Sequence, residues 1–137
     1  VEEDFREAGT RGVLNLGHTF GHALESATGF SRWSHGEAVA WGITAAMEFG
    51  RKMGITGNEY ADKVIRLLGQ YGFPQGADVL KSGEYKINSE KLVEAMGHDK
   101  KNRSSLVRLV LQRGPLDTLF LETETRTLVS FLDEFLH

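Results

Sequence analysis

Apolar residues recur at helical spacing along most of the chain, and two short runs near its end alternate as strands do. The spacing predicts helices over about 16–28, 35–53, 58–71 and 124–136, with a short helix after Asn88 or Ser89. The runs 106–112 and 116–121 are typical of strands joined around Gly114 and Pro115, whereas residues 75–87 are interpreted as a loop. The pattern therefore predicts a mainly α, multi-helix domain with a small β-hairpin.

Two helix starts carry capping signals. Ser34 is followed three residues later by Glu37, which predicts a capping box at the start of the second helix. Thr123 is the expected N-cap of the last helix. The helix over 35–53 is apolar on most of its faces, which favours a central, buried position.

Length, charge and residue usage limit the possible partners. The 137 residues suffice for one domain, and the net charge of −3 gives no reason to expect nucleic acid or an anionic membrane as partner. No apolar run approaches the ~20 residues of a membrane span. The absence of cysteine excludes thiolate metal sites and is compatible with a cytoplasmic location. A start at Val1 rather than Met is compatible with a fragment or a processed protein.

Three of the five histidines lie close together in the sequence. His18 and His22 are spaced i, i+4, which places both imidazoles on one helix face, and His35 opens the next helix. Two helices meeting near their ends would bring His18 and His35 to one metal ion, and a catalytic zinc usually has three protein ligands. His22 or Glu37 would complete that count. The alternative is a pair of buried histidines that bond to backbone carbonyl groups.

The first of these helices also contains Gly17 and Gly21, one turn apart. Each glycine costs about 1 kcal/mol of helix stability relative to alanine. Their shared face indicates that a partner helix or a ligand packs against the backbone there. Glu25, on the same helix, is expected on its solvated exterior.

Two further polar clusters contain candidate anion-binding residues. Arg11 follows Glu7 by four positions, and residues 99–103 read DKKNR. Arginine binds carboxylates and phosphates in bidentate fashion, and a lysine ammonium group binds phosphate as a point charge. The alternatives are a surface ion pair between Glu7 and Arg11 and a solvated charged loop.

Three segments together resemble a known family. Residues 11–23 read RGVLNLGHTFGHA, residues 35–40 read HGEAVA and residues 99–101 read DKK. Their order and spacing are similar to the motifs of the 3-dehydroquinate synthase C-terminal domain, a sugar-phosphate cyclase fold. The resemblance implies that residues 1–137 form the C-terminal helical metal- and substrate-binding domain and that the N-terminal NAD-binding domain is absent from this chain.

The resemblance also implies an activity. Enzymes of this family are carbon–oxygen lyases that convert 3-deoxy-D-arabino-heptulosonate 7-phosphate to 3-dehydroquinate and phosphate in the shikimate pathway of aromatic amino acid biosynthesis. They use NAD⁺ and Zn²⁺ or Co²⁺, and the parent enzyme is expected to be a homodimer. The small anionic sugar phosphate is then the partner, and the isolated chain is expected to be inactive.

The motif positions imply roles for individual residues. His18 and His35 correspond to metal ligands, with a third ligand, a glutamate, in the other domain. His22 corresponds to the catalytic acid–base residue. The remaining active-site positions are Glu7 as a catalytic acid and, as substrate contacts, Arg11, Asn15, Lys100 and Lys101.

Other functions stay open at this point. The chain has no glycine pattern of the dinucleotide-binding type. A deoxy-scyllo-inosose or valiolone synthase would share the metal and NAD chemistry. An iron-type alcohol dehydrogenase domain and a non-enzymatic interaction module are the alternatives from other classes.

Overall fold

Helices dominate the structure, a computed structural model that describes residues 16–30, 32–81, 83–96 and 106–137. The elements are α1 (His18–Ala27), α2 (His35–Lys52), α3 (Asn58–Gln70), a 3₁₀ helix (Gly76–Leu80), α4 (Ser89–Met96), β1 (Leu106–Gly114), β2 (Asp117–Glu124) and α5 (Thr125–Leu136). The antiparallel pair β1–β2 is the sheet of the described part. The predicted class, mainly α with a small hairpin, is confirmed.

Helix α2 lies at the centre of the domain, as its apolar faces predict. Trp41 and Phe49 are fully buried, and Phe131 of α5 packs edge-on against Phe49 with ring centroids 5.1 Å apart. The predicted capping box is present, because Ser34 Oγ accepts from the backbone N–H of Glu37 and a Glu37 carboxylate oxygen accepts from the N–H of Ser34. This box fixes the residue at which α2 begins, and that residue is His35.

Helices α1 and α2 cross backbone to backbone. A Cβ atom at Gly42 of α2 would lie 2.1 Å from the carbonyl oxygen of Gly17 and 2.7 Å from the amide nitrogen of Gly21. A Cβ atom at Gly21 would in turn lie 2.7 Å from the carbonyl oxygen of Ala38. Gly17 and Gly21 therefore allow a partner helix, α2, to pack directly against the backbone of α1. This contact determines how α1 is placed on α2.

Two local predictions differ from the structure. Thr123 is not the N-cap of α5, because β2 continues through it: Thr123 pairs with Val107 of β1 and is buried. Helix α5 follows Glu124 with no side-chain cap bond. The predicted loop 75–87 contains the 3₁₀ helix Gly76–Leu80, whose start is stabilised by a bond from the N–H of Gln75 to the Asp78 carboxylate.

No helix within the described ranges has both the length and the apolarity needed to cross a bilayer. The longest of these helices, α2, ends with the basic pair Arg51 and Lys52. Lysine and arginine in the last turn interact favourably with the helix dipole. The Lys52 ammonium group also lies 2.6 Å from the Glu134 carboxylate of α5, which links the end of α2 to the last helix.

Candidate active site

A cleft of about 460 Å³ lies where α1 and α2 meet the end of α4 and the start of β1. His18 and His22 line it from α1, and His35 lines it from the first residue of α2. The i, i+4 spacing on α1 and the capping box on α2 thus direct all three imidazoles to one cleft.

The rings of His18 and His35 lie close to each other. Their centroids are 5.9 Å apart and their planes are nearly perpendicular. With Zn–N bonds of ~2.0–2.1 Å, two imidazoles on one tetrahedral ion have centroids roughly 5 Å apart. A small rotation of exposed side chains covers this difference, so the two rings can share a cation.

Glu25 forms a hydrogen bond with His35. The His35 Nδ1 atom lies 3.1 Å and 3.3 Å from the two carboxylate oxygens of Glu25. The Glu25 side chain is only 13% exposed, so the expectation that it is solvated on the helix exterior is wrong. The sequence held a signal for this contact: His18, His22 and Glu25 are spaced i, i+4, i+7, which is one helix face.

His22 lies beside the ring of Phe30, a residue whose backbone has an unusual conformation. The ring centroid of Phe30 is 5.9 Å from that of His22. Phe30 has φ 60°, in the left-handed region, and its N–H donates to the Glu25 carbonyl oxygen at 2.8 Å. A bulky residue with positive φ is strained, and such strain clusters at functional sites. The turn that ends α1 thus places an exposed aromatic ring at the side of His22.

Two imidazoles of the described residues, His18 and His35, lie close enough to share a metal ion. Across 16–30, 32–81, 83–96 and 106–137, no group of three or more His, Asp or Glu side chains is arranged to hold an ion. The candidate ligands that lie close together in these ranges are the imidazoles of His18 and His35. A cation bound by these two imidazoles would need further ligands from outside the described residues.

Arg108 is a cleft residue that the sequence reasoning missed. It lies on the exposed face of β1, and its guanidinium group sits 4.2 Å from the ring centroid of Phe120. The alternation of exposed and buried residues in β1 indicates an outward side chain but not what that side chain faces. Among the described residues that line the cleft, Arg108 adds a cation to the three imidazoles and the Glu25 carboxylate.

Several predicted site residues lie outside the described residues. They are Glu7, Arg11, Asn15, Lys100 and Lys101. Met96 and Leu106, which flank the segment 97–105, both line the cleft.

Comparison with known proteins identifies the family. The model of the family described as 3-dehydroquinate synthase C-terminal matches residues 1–102. The chain belongs to the 3-dehydroquinate synthase C-terminal family. The resemblance of the three motifs to this family is thereby confirmed.

Similar curated proteins belong to the same family. The 3-dehydroquinate synthase of Nitrosospira multiformis is 46% identical over 111 residues, which is 81% of this chain and 28% of that protein. The 3-dehydroquinate synthase of Bradyrhizobium diazoefficiens is 41% identical over 133 residues, 95% of this chain and 32% of that protein. The chain thus spans about a third of the length of the family members it matches.

Solved structures of the same fold are also known. A 2-deoxy-scyllo-inosose synthase complexed with carbaglucose-6-phosphate, NAD⁺ and Co²⁺ matches with a TM-score of 0.68 and 20% identity, covering 88% of this chain and 33% of that one. At this identity the match establishes the fold of the C-terminal domain alone.

Proposed function

We propose that this chain is the metal- and substrate-binding wall of a 3-dehydroquinate synthase, a lyase that releases phosphate from 3-deoxy-D-arabino-heptulosonate 7-phosphate. The observation that carries the proposal is the convergence of His18, His22 and His35 on one cleft in a member of this family. The remaining wall, including a third metal ligand, would come from an N-terminal domain of the kind that the longer curated relatives have room for.

The donor chemistry fits a borderline divalent cation. Imidazole nitrogens suit Zn²⁺ and Co²⁺, and the chain has no cysteine to offer instead. We assign His18 and His35 as the ligands. When bound, such a cation polarises a substrate hydroxyl and lowers its pKa. The 68% exposure of the His35 side chain leaves room for substrate and for a further ligand on the open side.

His22 is assigned the movement of protons. It lies one turn from His18 on the same face of α1, so its ring would face a substrate bound in the cleft beside His18. An imidazole titrates near physiological pH, which suits a general acid–base role. Phe30 limits the positions open to the ring on one side. Glu7 is proposed as a second acid of the site.

The anionic end of the substrate requires cations at the same cleft. We propose that one of Lys100 and Lys101 holds this anionic end and that Arg11 and Asn15 also contact the substrate. The placement of Met96 and Leu106 in the cleft wall supports this, because these are the described residues on either side of Lys100 and Lys101 in the sequence. A phosphate or carboxylate group binds such side chains through charge-assisted hydrogen bonds.

NAD⁺ is a different case, because the chain carries no dinucleotide-binding glycine pattern. We therefore assign the cofactor no residue of this chain. We propose that NAD⁺ is held by the N-terminal part of a homodimeric, cytoplasmic enzyme.

A fusion protein tests the proposal directly. The N-terminal part of the Nitrosospira multiformis relative, joined to this chain, is expected to release phosphate from 3-deoxy-D-arabino-heptulosonate 7-phosphate with NAD⁺ and Zn²⁺, while the chain alone is expected to be inactive. Turnover of glucose 6-phosphate instead would assign a deoxy-scyllo-inosose synthase. Net NADH accumulation without ring closure would assign an alcohol dehydrogenase. Either result would contradict the proposal.

Replacing His22 with glutamine is expected to lower the turnover of this fusion about 100-fold, because general acid–base catalysis contributes about 10²–10⁴-fold. The dissociation constant for Zn²⁺ should stay unchanged, since His22 is not a proposed ligand. Steady-state phosphate release and metal titration measure the two quantities. His137→Gln is the matched control, because His137 is exposed at the end of the chain and should change neither. Full activity in His22→Gln would remove His22 from the mechanism.

A further inference from the structure

We propose that Glu25 is a positioning residue, which holds His35 as the Nδ1–H tautomer so that the Nε2 lone pair is free to bind the metal. The inference rests on the proposed role of His35 as a ligand. It starts from the contact of the His35 Nδ1 atom with both carboxylate oxygens of Glu25, at 3.1 and 3.3 Å.

The direction of this hydrogen bond determines the tautomer. An ionised carboxylate has no proton to donate and only accepts. The His35 Nδ1 atom must therefore carry the proton, and in the neutral ring the proton is then absent from Nε2. An imidazole that lacks such a partner exchanges between both tautomers, and the Nε2–H form cannot bind a cation through Nε2.

Burial makes Glu25 the fixed member of the pair. The Glu25 side chain is 13% exposed and that of His35 is 68% exposed. The Glu25 carbonyl also accepts the N–H groups of Thr28 and Phe30, which anchors the residue in the turn that ends α1. His35 sits at the first position of α2 with most of its side chain exposed, so the contact with the carboxylate restricts the rotation and the tautomer of this ring.

Tautomer populations test the inference without any metal. Nitrogen NMR of this chain at alkaline pH should show His35 mainly as the Nδ1–H tautomer. Glu25→Ala is expected to remove this preference, and Glu25→Gln should retain part of it, because an amide oxygen still accepts from Nδ1. Glu48→Ala is the matched control: it removes a half-buried carboxylate from α2 that is paired with Arg51, far from the imidazoles. A wild-type His35 in the Nε2–H form would overturn the inference.

Metal affinity provides the second measurement, in the fusion protein. Loss of a group that hydrogen-bonds to a metal-binding histidine typically weakens metal binding about 10–100-fold. Glu25→Ala should raise the dissociation constant for Zn²⁺ by that factor, and Glu25→Gln by less than about tenfold. Glu48→Ala should leave it unchanged. Urea unfolding of each variant separates a change in binding from a change in folding.

The outcomes distinguish this inference from the function on which it rests. An unchanged dissociation constant in His35→Ala would refute the ligand assignment itself. A raised constant in His35→Ala, with Glu25→Ala matching Glu48→Ala, would refute the role of Glu25 alone. A Glu25→Ala variant that unfolds more easily but keeps the Nδ1–H tautomer would assign Glu25 a purely structural role and would also overturn the inference.

Discussion

Alanine in place of Gly42 is expected to lower the free energy of unfolding by about 2 kcal/mol or more. The added methyl group would lie 2.1 Å from the Gly17 carbonyl oxygen, and both atoms belong to helix backbones that cannot yield as a flexible side chain would. Overpacking costs about 1–3 kcal/mol and occasionally more, and a clash between two helix backbones belongs at the upper end of this range or above it. After a helix-propensity gain of about 1 kcal/mol, a loss of about 2 kcal/mol or more remains. Urea unfolding followed by circular dichroism measures the difference.

Gly36 provides the control for this prediction. It lies on the same helix, it is exposed, and a Cβ atom there would have no neighbour within 4 Å. Gly36→Ala should therefore be neutral or stabilise the domain by up to about 1 kcal/mol. If Gly42→Ala were as stable as Gly36→Ala, the close crossing of α1 and α2 would not exist in solution.

Removing either proposed ligand should have the largest effect on metal binding. Structural zinc sites bind with about 10–16 kcal/mol from four ligands, which is about 2.5–4 kcal/mol per ligand. We therefore expect His18→Ala and His35→Ala each to raise the dissociation constant of the fusion for Zn²⁺ about 100–1,000-fold. Competition with a chromophoric chelator covers this range.

The control for the ligand variants is His137→Ala, which removes an exposed imidazole from the opposite end of the chain. It should leave the constant unchanged. If His18→Ala also left it unchanged while His35→Ala did not, the ion would bind to His35 and other ligands. The 5.9 Å approach of the two rings would then have no role in metal binding.

Local signals account for the parts of the fold that the sequence predicted well. The Ser34–Glu37 capping box depends on four consecutive residues, and its geometry is present as expected. Gly17 and Gly21 indicated a close approach, and α2 provides it. Gly42 is the residue of α2 at this crossing. No second glycine lies three or four positions from it, so the sequence did not mark it as a close-contact position.

Long-range contacts account for what was missed. Thr123 has the residue type of an N-cap, but its pairing with Val107 extends β2 past it. Glu25 is a charged residue of the type usually found on the solvated side of a helix. The approach of α2 places its carboxylate against His35 and largely buries it. The i, i+4 spacing predicted that His18 and His22 share a face. The proximity of His18 to His35 depends on the helix crossing, which local spacing does not determine.

The left-handed backbone conformation of Phe30 lowers the stability of the domain, while its side chain lies beside the proposed catalytic residue His22. A non-glycine residue in this backbone region costs roughly 1–2 kcal/mol. Glycine at position 30 would relieve that cost, yet it would also remove the aromatic surface beside His22. Selection for a more heat-resistant domain and selection for the placement of His22, the proposed proton carrier, therefore favour different side chains here, which is the usual form of a stability–activity trade-off.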